Sequence, residues 1–266
     1  MEDQKIGPIL EQAQDIITMA IKKLGATLVD NYNNFDRKEI EMKSPHEIVT
    51  KYDRLSEKII LEAIHNNFPD HAVLSEEQGR DKTESEWLWL VDPIDGTTNF
   101  SMHNPLWSVS ICLLHNDEPV LGVIYAPALD ELFIAKKGQG AFLNNKPLKV
   151  SEVDSGKVIN TFCHGSSTEA IKRAVNYYSI QKLNRFDCRQ LGSAAIEMAY
   201  VAAGRIESIT IPDVKIWDVA AGSLLVREAG GKVTDFTGNE WELASPDIIA
   251  SNGLVHEQIL TVVKDI

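Results

Sequence analysis

The sequence predicts a mixed protein, α+β passing into α/β, built as two packed halves that meet near residue 150. Three observations carry this. Two stretches with apolar residues at helical spacing come first, then several short apolar segments separated by turn residues. From about residue 151 short apolar segments alternate with helix-like ones. The 266 residues, 44% apolar and 24% charged, can bury a sizeable core and suit a soluble globular protein. With no internal repeat or low-complexity linker, residues 1–150 and 151–266 are expected to form one compact unit.

Residues 8–32 read as an amphipathic helix, with Pro8 in its first turn and Ile9, Ala13, Ile16, Ile17, Ala20, Ile21, Leu24 and Leu28 at helical spacing. Lys43-Ser44-Pro45 breaks the chain. A second helix runs to about Phe68, before Pro69, and Asp53 falls in or near its first turn, where an acid suits the helix dipole. Ala72-Val73-Leu74 reads as a short strand ending in Ser75-Glu76-Glu77, and residues 80–86 as a polar loop. Segments 107–114, 120–125 and 132–135 read as successive strands. In the second half, 158–162, 206–211, 232–235 and 248–251 are expected strands. Residues 167–178, 191–203, 218–229 and the C-terminal stretch are expected helices.

The chain centres on WLWLVDPIDGTTNF, Trp87 to Phe100. Its five apolar residues fit a strand buried on both faces, and Pro93, which donates no ladder hydrogen bond, is expected to end the sheet after Asp92. Asp95 follows, then Gly96, which lets backbone N–H groups approach a ligand, then the hydroxyls of Thr97 and Thr98. Asp, Pro and Gly also make ordinary surface turns. Yet carboxylates, an unhindered turn and hydroxyls at a sheet's mouth suit an Mg²⁺-held phosphate. Glu76-Glu77, Asp92 with Asp95, and Asp218 recur at strand ends or helix starts, although Glu76-Glu77 also reads as a solvated loop and Asp218 as an N-cap.

Other chemistries fail on spacing. There is no G-x-x-x-x-G-K-[ST], no G-x-S-x-G, and none of the seven histidines forms H-E-x-x-H. Gly138-Gln139-Gly140 lacks the third glycine of a dinucleotide fingerprint. Two residues separate Asp92 from Asp95, unlike the single spacer of aspartyl-phosphate phosphatases, which speaks against a nucleophilic Asp92. The balance of 26 basic against 39 acidic side chains leaves −13, unfavourable for nucleic acid or an anionic membrane. Three cysteines without C-x-x-C, a start that is not a signal peptide's basic head, and no long apolar run point to a reduced, cytoplasmic setting.

WLVDPIDGTTNF together with WDVAAGSLLVREAGG resembles the two signature motifs of the inositol monophosphatase family, within the Mg²⁺-dependent, Li⁺-sensitive phosphatase superfamily that includes fructose-1,6-bisphosphatase. LSEEQG and RQLGSAAIEMAYVAAG extend the likeness over nearly the whole chain. The resemblance implies a layered αβαβα sandwich, a homodimer, and hydrolysis of small phosphomonoesters by metal-activated water without a covalent intermediate. It implies that Glu76, Asp92 and the Ile94 carbonyl hold a first Mg²⁺, that Asp92, Asp95 and Asp218 hold a second, and that a third sits by Glu76. Li⁺ is implied as an inhibitor. Glu76 and Thr97 would orient the water, Asp53 would polarise the Thr97 hydroxyl, and Glu77 would stand behind them. The N–H groups of Gly96 and Thr97 would cradle the phosphate, while Asp95, Gly192, Ser193, Ala194 and Asp218 would line the alcohol side.

One position departs from the pattern. Where relatives acting on inositol phosphates carry a glutamate seven residues before the second-motif aspartate, this chain has Ile211, followed by Pro212-Asp213-Val214-Lys215. Isoleucine accepts no hydroxyl hydrogen bond. Asp213 could replace the acceptor if the loop shifts, and Lys215 could favour a more anionic substrate. Inositol 1-phosphate leads as substrate, with the 2′-phosphate of NADP, fructose 1,6-bisphosphate and adenosine 3′,5′-bisphosphate as alternatives. A non-catalytic regulator using the same fold is the alternative of another class.

Overall fold

A computed structural model describes residues 3–44, 47–81 and 83–264. The first half runs α1 (Asp3–Asn33), a hairpin of β1 (Glu41–Ser44) and β2 (Glu47–Val49), α2 (Lys51–Asn67), β3 (Ala72–Ser75), β4 (Gly79–Arg80), β5 (Trp87–Asp95), α3 (Thr97–Ser101), β6 (Ser108–His115), β7 (Glu118–Ala126), β8 (Glu131–Lys136), β9 (Gly140–Leu143) and β10 (Lys146–Pro147). The second half runs β11 (Ile159–Phe162), α4 (Thr168–Leu183), β12 (Asp187–Arg189), α5 (Ala194–Ala202), β13 (Ser208–Pro212), α6 (Ile216–Glu228), β14 (Lys232–Thr234), β15 (Asp247–Ser251) and α7 (His256–Val263).

Strands β3 to β10 make one sheet in the order β10-β9-β8-β7-β6-β5-β3-β4, parallel only between β3 and β5. A second sheet, β12-β11-β13-β15-β14, is parallel across β12-β11-β13 and antiparallel beyond. Alternation along β5 explains the layering: Trp87, Trp89 and Val91 face α1 and α2, while Leu88 and Leu90 face the opposite way into a core shared with α5 and α6. Helices α5 and α6 also pack on the second sheet, whose far face carries α4 and α7. The result is the expected five-layer αβαβα sandwich. Gly122 on β7 permits the tight central layer, because a Cβ there would stand 2.8 Å from the Ala221 carbonyl oxygen of α6. Among the described residues no helix is long and apolar enough to cross a membrane.

Several boundaries differ from expectation. Helix α1 begins before Pro8, which lies inside it. Strand β5 does not stop at Asp92: it continues to Asp95 through a register shift opposite Asp92–Asp95, a bulge that absorbs the missing Pro93 donor. Leu191–Ser193 are not helical, because Ser193 is the N-cap of α5 and accepts from Ile196 N. Lys215, not Asp218, is the N-cap of α6. Pro45 of the expected break and Lys82 of the polar loop lie outside the described residues.

Candidate active site

The site grows from the end of β5. Asp92 is buried, and its Oδ1 accepts from the Ile94 N–H at 3.1 Å, which turns the chain across the bulge. Gly96 has φ +87°, a left-handed conformation that disfavours a side chain; a Cβ would also press on the carbonyl oxygens of Gly192 and Leu106 at 3.1 Å. Thr97 opens α3, so its N–H has no partner one turn back within the helix.

Asp53 reaches this turn from α2. Its Oδ2 accepts from Thr50 N (2.8 Å) and from the Thr50 hydroxyl (2.6 Å), closing a capping box. Its Oδ1 lies 3.0 Å from the Thr97 hydroxyl, which is equally 3.0 Å from the Ile94 carbonyl oxygen. One hydroxyl proton thus faces two acceptors. Burial pushes the Asp53 carboxyl up to about 6, against the hydrogen bonds from Thr50 and Thr97 that favour its charge.

Asp95 binds the second half. Oδ1 accepts from Ala194 N at 3.1 Å, and Oδ2 accepts from Ala195 N at 3.1 Å and from the hydroxyls of Ser193 and Ser108. It therefore sits on the exposed N–H groups that open α5. Burial still pushes its carboxyl up to about 6. On the opposite wall Glu76 pairs with Lys43 at 2.8 Å, and the same ammonium meets Glu77 at 2.5 Å. Behind them Glu57 accepts from Glu77 N and Gln78 N, both at 3.1 Å. Asp218, in the first turn of α6, completes the ring.

Glu76, Asp92, Ile94, Asp95, Gly96, Thr97 and Asp218 all line one cavity of about 530 Å³, with Lys43, Glu47, His164, Gly165, Ser166, Lys215 and Trp217. A smaller adjoining cavity of about 170 Å³ is walled by Asp95, Gly192, Ala194, Ile211, Asp213 and Asp218, among others. Ser193 lies at the same turn, its hydroxyl held by Asp95. Asp92 and Asp218 have carboxyls held well above the usual range, first by burial and then by their acidic neighbours. Such a cluster of hard oxygen donors, short of positive charge, is chemically suited to Mg²⁺. The side chains line a common hollow without closing on a point: among the described residues no three or more His, Cys, Asp or Glu are gathered tightly enough to hold a metal ion as placed.

A model of the inositol monophosphatase family matches residues 9–266. The chain belongs to that family, which is one of phosphatases. A Thermotoga maritima protein named fructose-1,6-bisphosphatase/inositol-1-monophosphatase is 37% identical over 95% of this chain and 96% of its own. The inositol monophosphatase of Dictyostelium discoideum is 38% identical over 95% and 93%, and the Nus factor SuhB of Escherichia coli K12 is 36% identical over 94% and 95%. Among solved structures, a Thermotoga maritima IMPase superposes with a TM-score of 0.86 at 36% identity, covering 96% of this chain and 97% of that one. An IMPase/NADP phosphatase described as complexed with Mg²⁺ and phosphate superposes at 0.81, covering 96% and 95%; at 22% identity it speaks to the fold alone.

Around these cavities, sequence reasoning missed Lys43, Glu47 and His164 to Ser166, and Glu197 behind them. The first two ride on the β1–β2 hairpin, too short and polar to show a strand pattern. His164 to Ser166 follow β11 as an ordinary polar loop. Glu197 did carry a signal, as the one acid in the apolar 191–203 stretch.

Proposed function

We propose that the chain is a Mg²⁺-dependent phosphomonoesterase that hydrolyses inositol 1-phosphate. The observation that carries this is the shared cavity, into which the ends of β3 and β5 in one sheet and the start of α6 deliver Glu76, Asp92, Asp95, Asp218 and the Ile94 carbonyl. These groups would hold the Mg²⁺ ions, which when bound neutralise the phosphate and lower the pKa of a water. The N–H groups of Gly96 and Thr97 would receive phosphate oxygens. Glu76 and the Thr97 hydroxyl would aim the water. Once ionised, Asp53 would accept the Thr97 hydroxyl's hydrogen bond, which would leave the Ile94 carbonyl oxygen free to ligate.

The alcohol would occupy the smaller cavity beside Ala194, Gly192 and Asp218. Ile211 is buried there and offers no acceptor, but Asp213, at φ +60°, brings a carboxylate to the same wall. A second reading, fructose 1,6-bisphosphate, is favoured by Lys215 on the cavity lining, a cation suited to a further phosphate. The dual name of the Thermotoga relative supports keeping it. Phosphate release from inositol 1-phosphate, fructose 1,6-bisphosphate and NADP, compared as kcat/KM with Mg²⁺ and with EDTA, decides among them. Inositol 1-phosphate trailing another substrate by orders of magnitude would overturn the first choice, and EDTA-insensitive release would overturn the mechanism.

Two structural readings belong with this one. The halves are proposed to fold as one unit, supported by a core that joins Leu88, Ile124 and Phe133 to Val219, Leu224 and Ile248. A homodimer is proposed from the family resemblance, and sedimentation would test it.

A further inference from the structure

Behind the alcohol-side cavity lies an acid that the proposed chemistry does not use. Glu197 is 0% exposed, on a helix otherwise packed through alanine, isoleucine, methionine and valine. Burial pushes its carboxyl up to about 7. Its Oε1 accepts from Gly192 N at 2.9 Å, from Leu191 N at 3.0 Å and from the Cys163 thiol at 3.1 Å. An apolar side chain would sit in this layer at lower cost. What the acid supplies is therefore local: an acceptor for two backbone N–H groups that the bend before α5 would otherwise leave unpaired.

That bend matters for the site. The Leu191 carbonyl oxygen accepts from Asn99 Nδ2 at 2.8 Å, tying it to α3, and Gly192 takes φ +84°. The next three residues, Ser193 to Ala195, hold Asp95. Cys163, at the end of β11, lines the same small cavity as Gly192 and Ala194. Glu197 thus pins from inside the segment that Asp95 and Asn99 grip from the other side.

We propose that Glu197 is a positioning residue: by fixing the Leu191-Gly192 backbone against Cys163 it sets where Ser193 and Ala194 stand, and through them Asp95 and the substrate's alcohol. The proposal rests on the phosphomonoesterase reading of the cavity. Glu197→Leu keeps the volume and removes the acceptor; Glu197→Gln keeps an acceptor oxygen and removes the charge. Kinetics with Mg²⁺ and inositol 1-phosphate are read beside thermal unfolding and hydrogen exchange at the Leu191 and Gly192 amides. The leucine variant should fold, lose protection at those amides and drop kcat/KM at least about tenfold, whereas the glutamine variant should stay within about threefold of wild type. A folded leucine variant with wild-type kcat/KM overturns the proposal. If leucine does not fold, glutamine decides: near-wild-type turnover supports the role. A folded glutamine variant that loses activity about tenfold or more, or one that does not fold, overturns it, since charge or core packing would then be what matters. Failure of the wild-type protein to release phosphate marks failure of the site reading, whereas failure of the positioning role shows only in the variants.

Discussion

Replacing Asp53 by asparagine separates the charge of that residue from its shape, and the structure predicts that the outcome changes sign with pH. Asp53 is 1% exposed, and burial moves its carboxyl from 3.8 to about 6 in the folded chain. Between those values the native state binds more protons than the unfolded one, so the wild-type protein loses stability as pH rises. At 1.36 kcal/mol per pH unit the whole gap is worth about 3 kcal/mol. Roughly 2 kcal/mol of it falls between about pH 4.5 and pH 8. Asparagine carries no such cost but weakens the capping box with Thr50, by about 1 kcal/mol. The variant should therefore be the less stable protein at low pH and the more stable one at high pH. Equilibrium unfolding in EDTA measures this as a difference between the two proteins, which cancels the titrating groups that do not feel the Asp53 charge. The corresponding change in relative melting temperature is about 4 °C or more. Activity should move the other way: with Mg²⁺ at high pH the variant should turn over about 100-fold more slowly, because Thr97 loses its charged acceptor. A stability difference that does not change with pH, or a wild type that gains on the variant as pH rises, would refute the reasoning.

Three further outcomes are expected. Asp218→Asn relieves repulsion among buried acids, so without metal it should unfold at a higher temperature than wild type above neutral pH, while Mg²⁺-dependent phosphate release falls about 100-fold; full turnover in the variant would remove Asp218 from the site. Gly122→Ala drives a methyl against the Ala221 carbonyl at 2.8 Å and should cost about 2–3 kcal/mol in urea unfolding, whereas an unchanged midpoint would mean that α6 yields freely. Li⁺, a small hard cation able to enter an oxygen-ligand site, should inhibit in the millimolar range. Undiminished phosphate release at saturating Li⁺ would count against the proposed metal centre.

What was legible in the sequence was whatever depended on near neighbours in the chain. The strand before Asp92, the turn at Gly96 and the helix after Lys215 each follow from a few adjacent residues, and those are the elements that carry Asp92, Asp95, Thr97 and Asp218. The sequence placed Asp53 in the first turn of α2, but only the fold shows its capping box with Thr50 and that its other oxygen faces Thr97. Boundaries slipped where a special contact overrode local preference. Pro93 reads as a stop, yet the bulge lets β5 run on to Asp95; Leu191 reads as helix, yet Glu197 and Asn99 hold its backbone groups in a bend. Lys43 lies 33 residues from its partner Glu76, and no periodicity links the two. The site is thus assembled from locally specified pieces whose mutual placement is set by buried polar contacts across the sequence. Asp95 shows why that placement matters. Its oxygens already hold the opening turn of α5, so anything that tilts α5 moves a carboxylate of the cavity as well. Packing in the second half and the placing of a cavity carboxylate in the first are then linked, and under the proposed function a variant of α5 that touches no cavity residue should still change turnover.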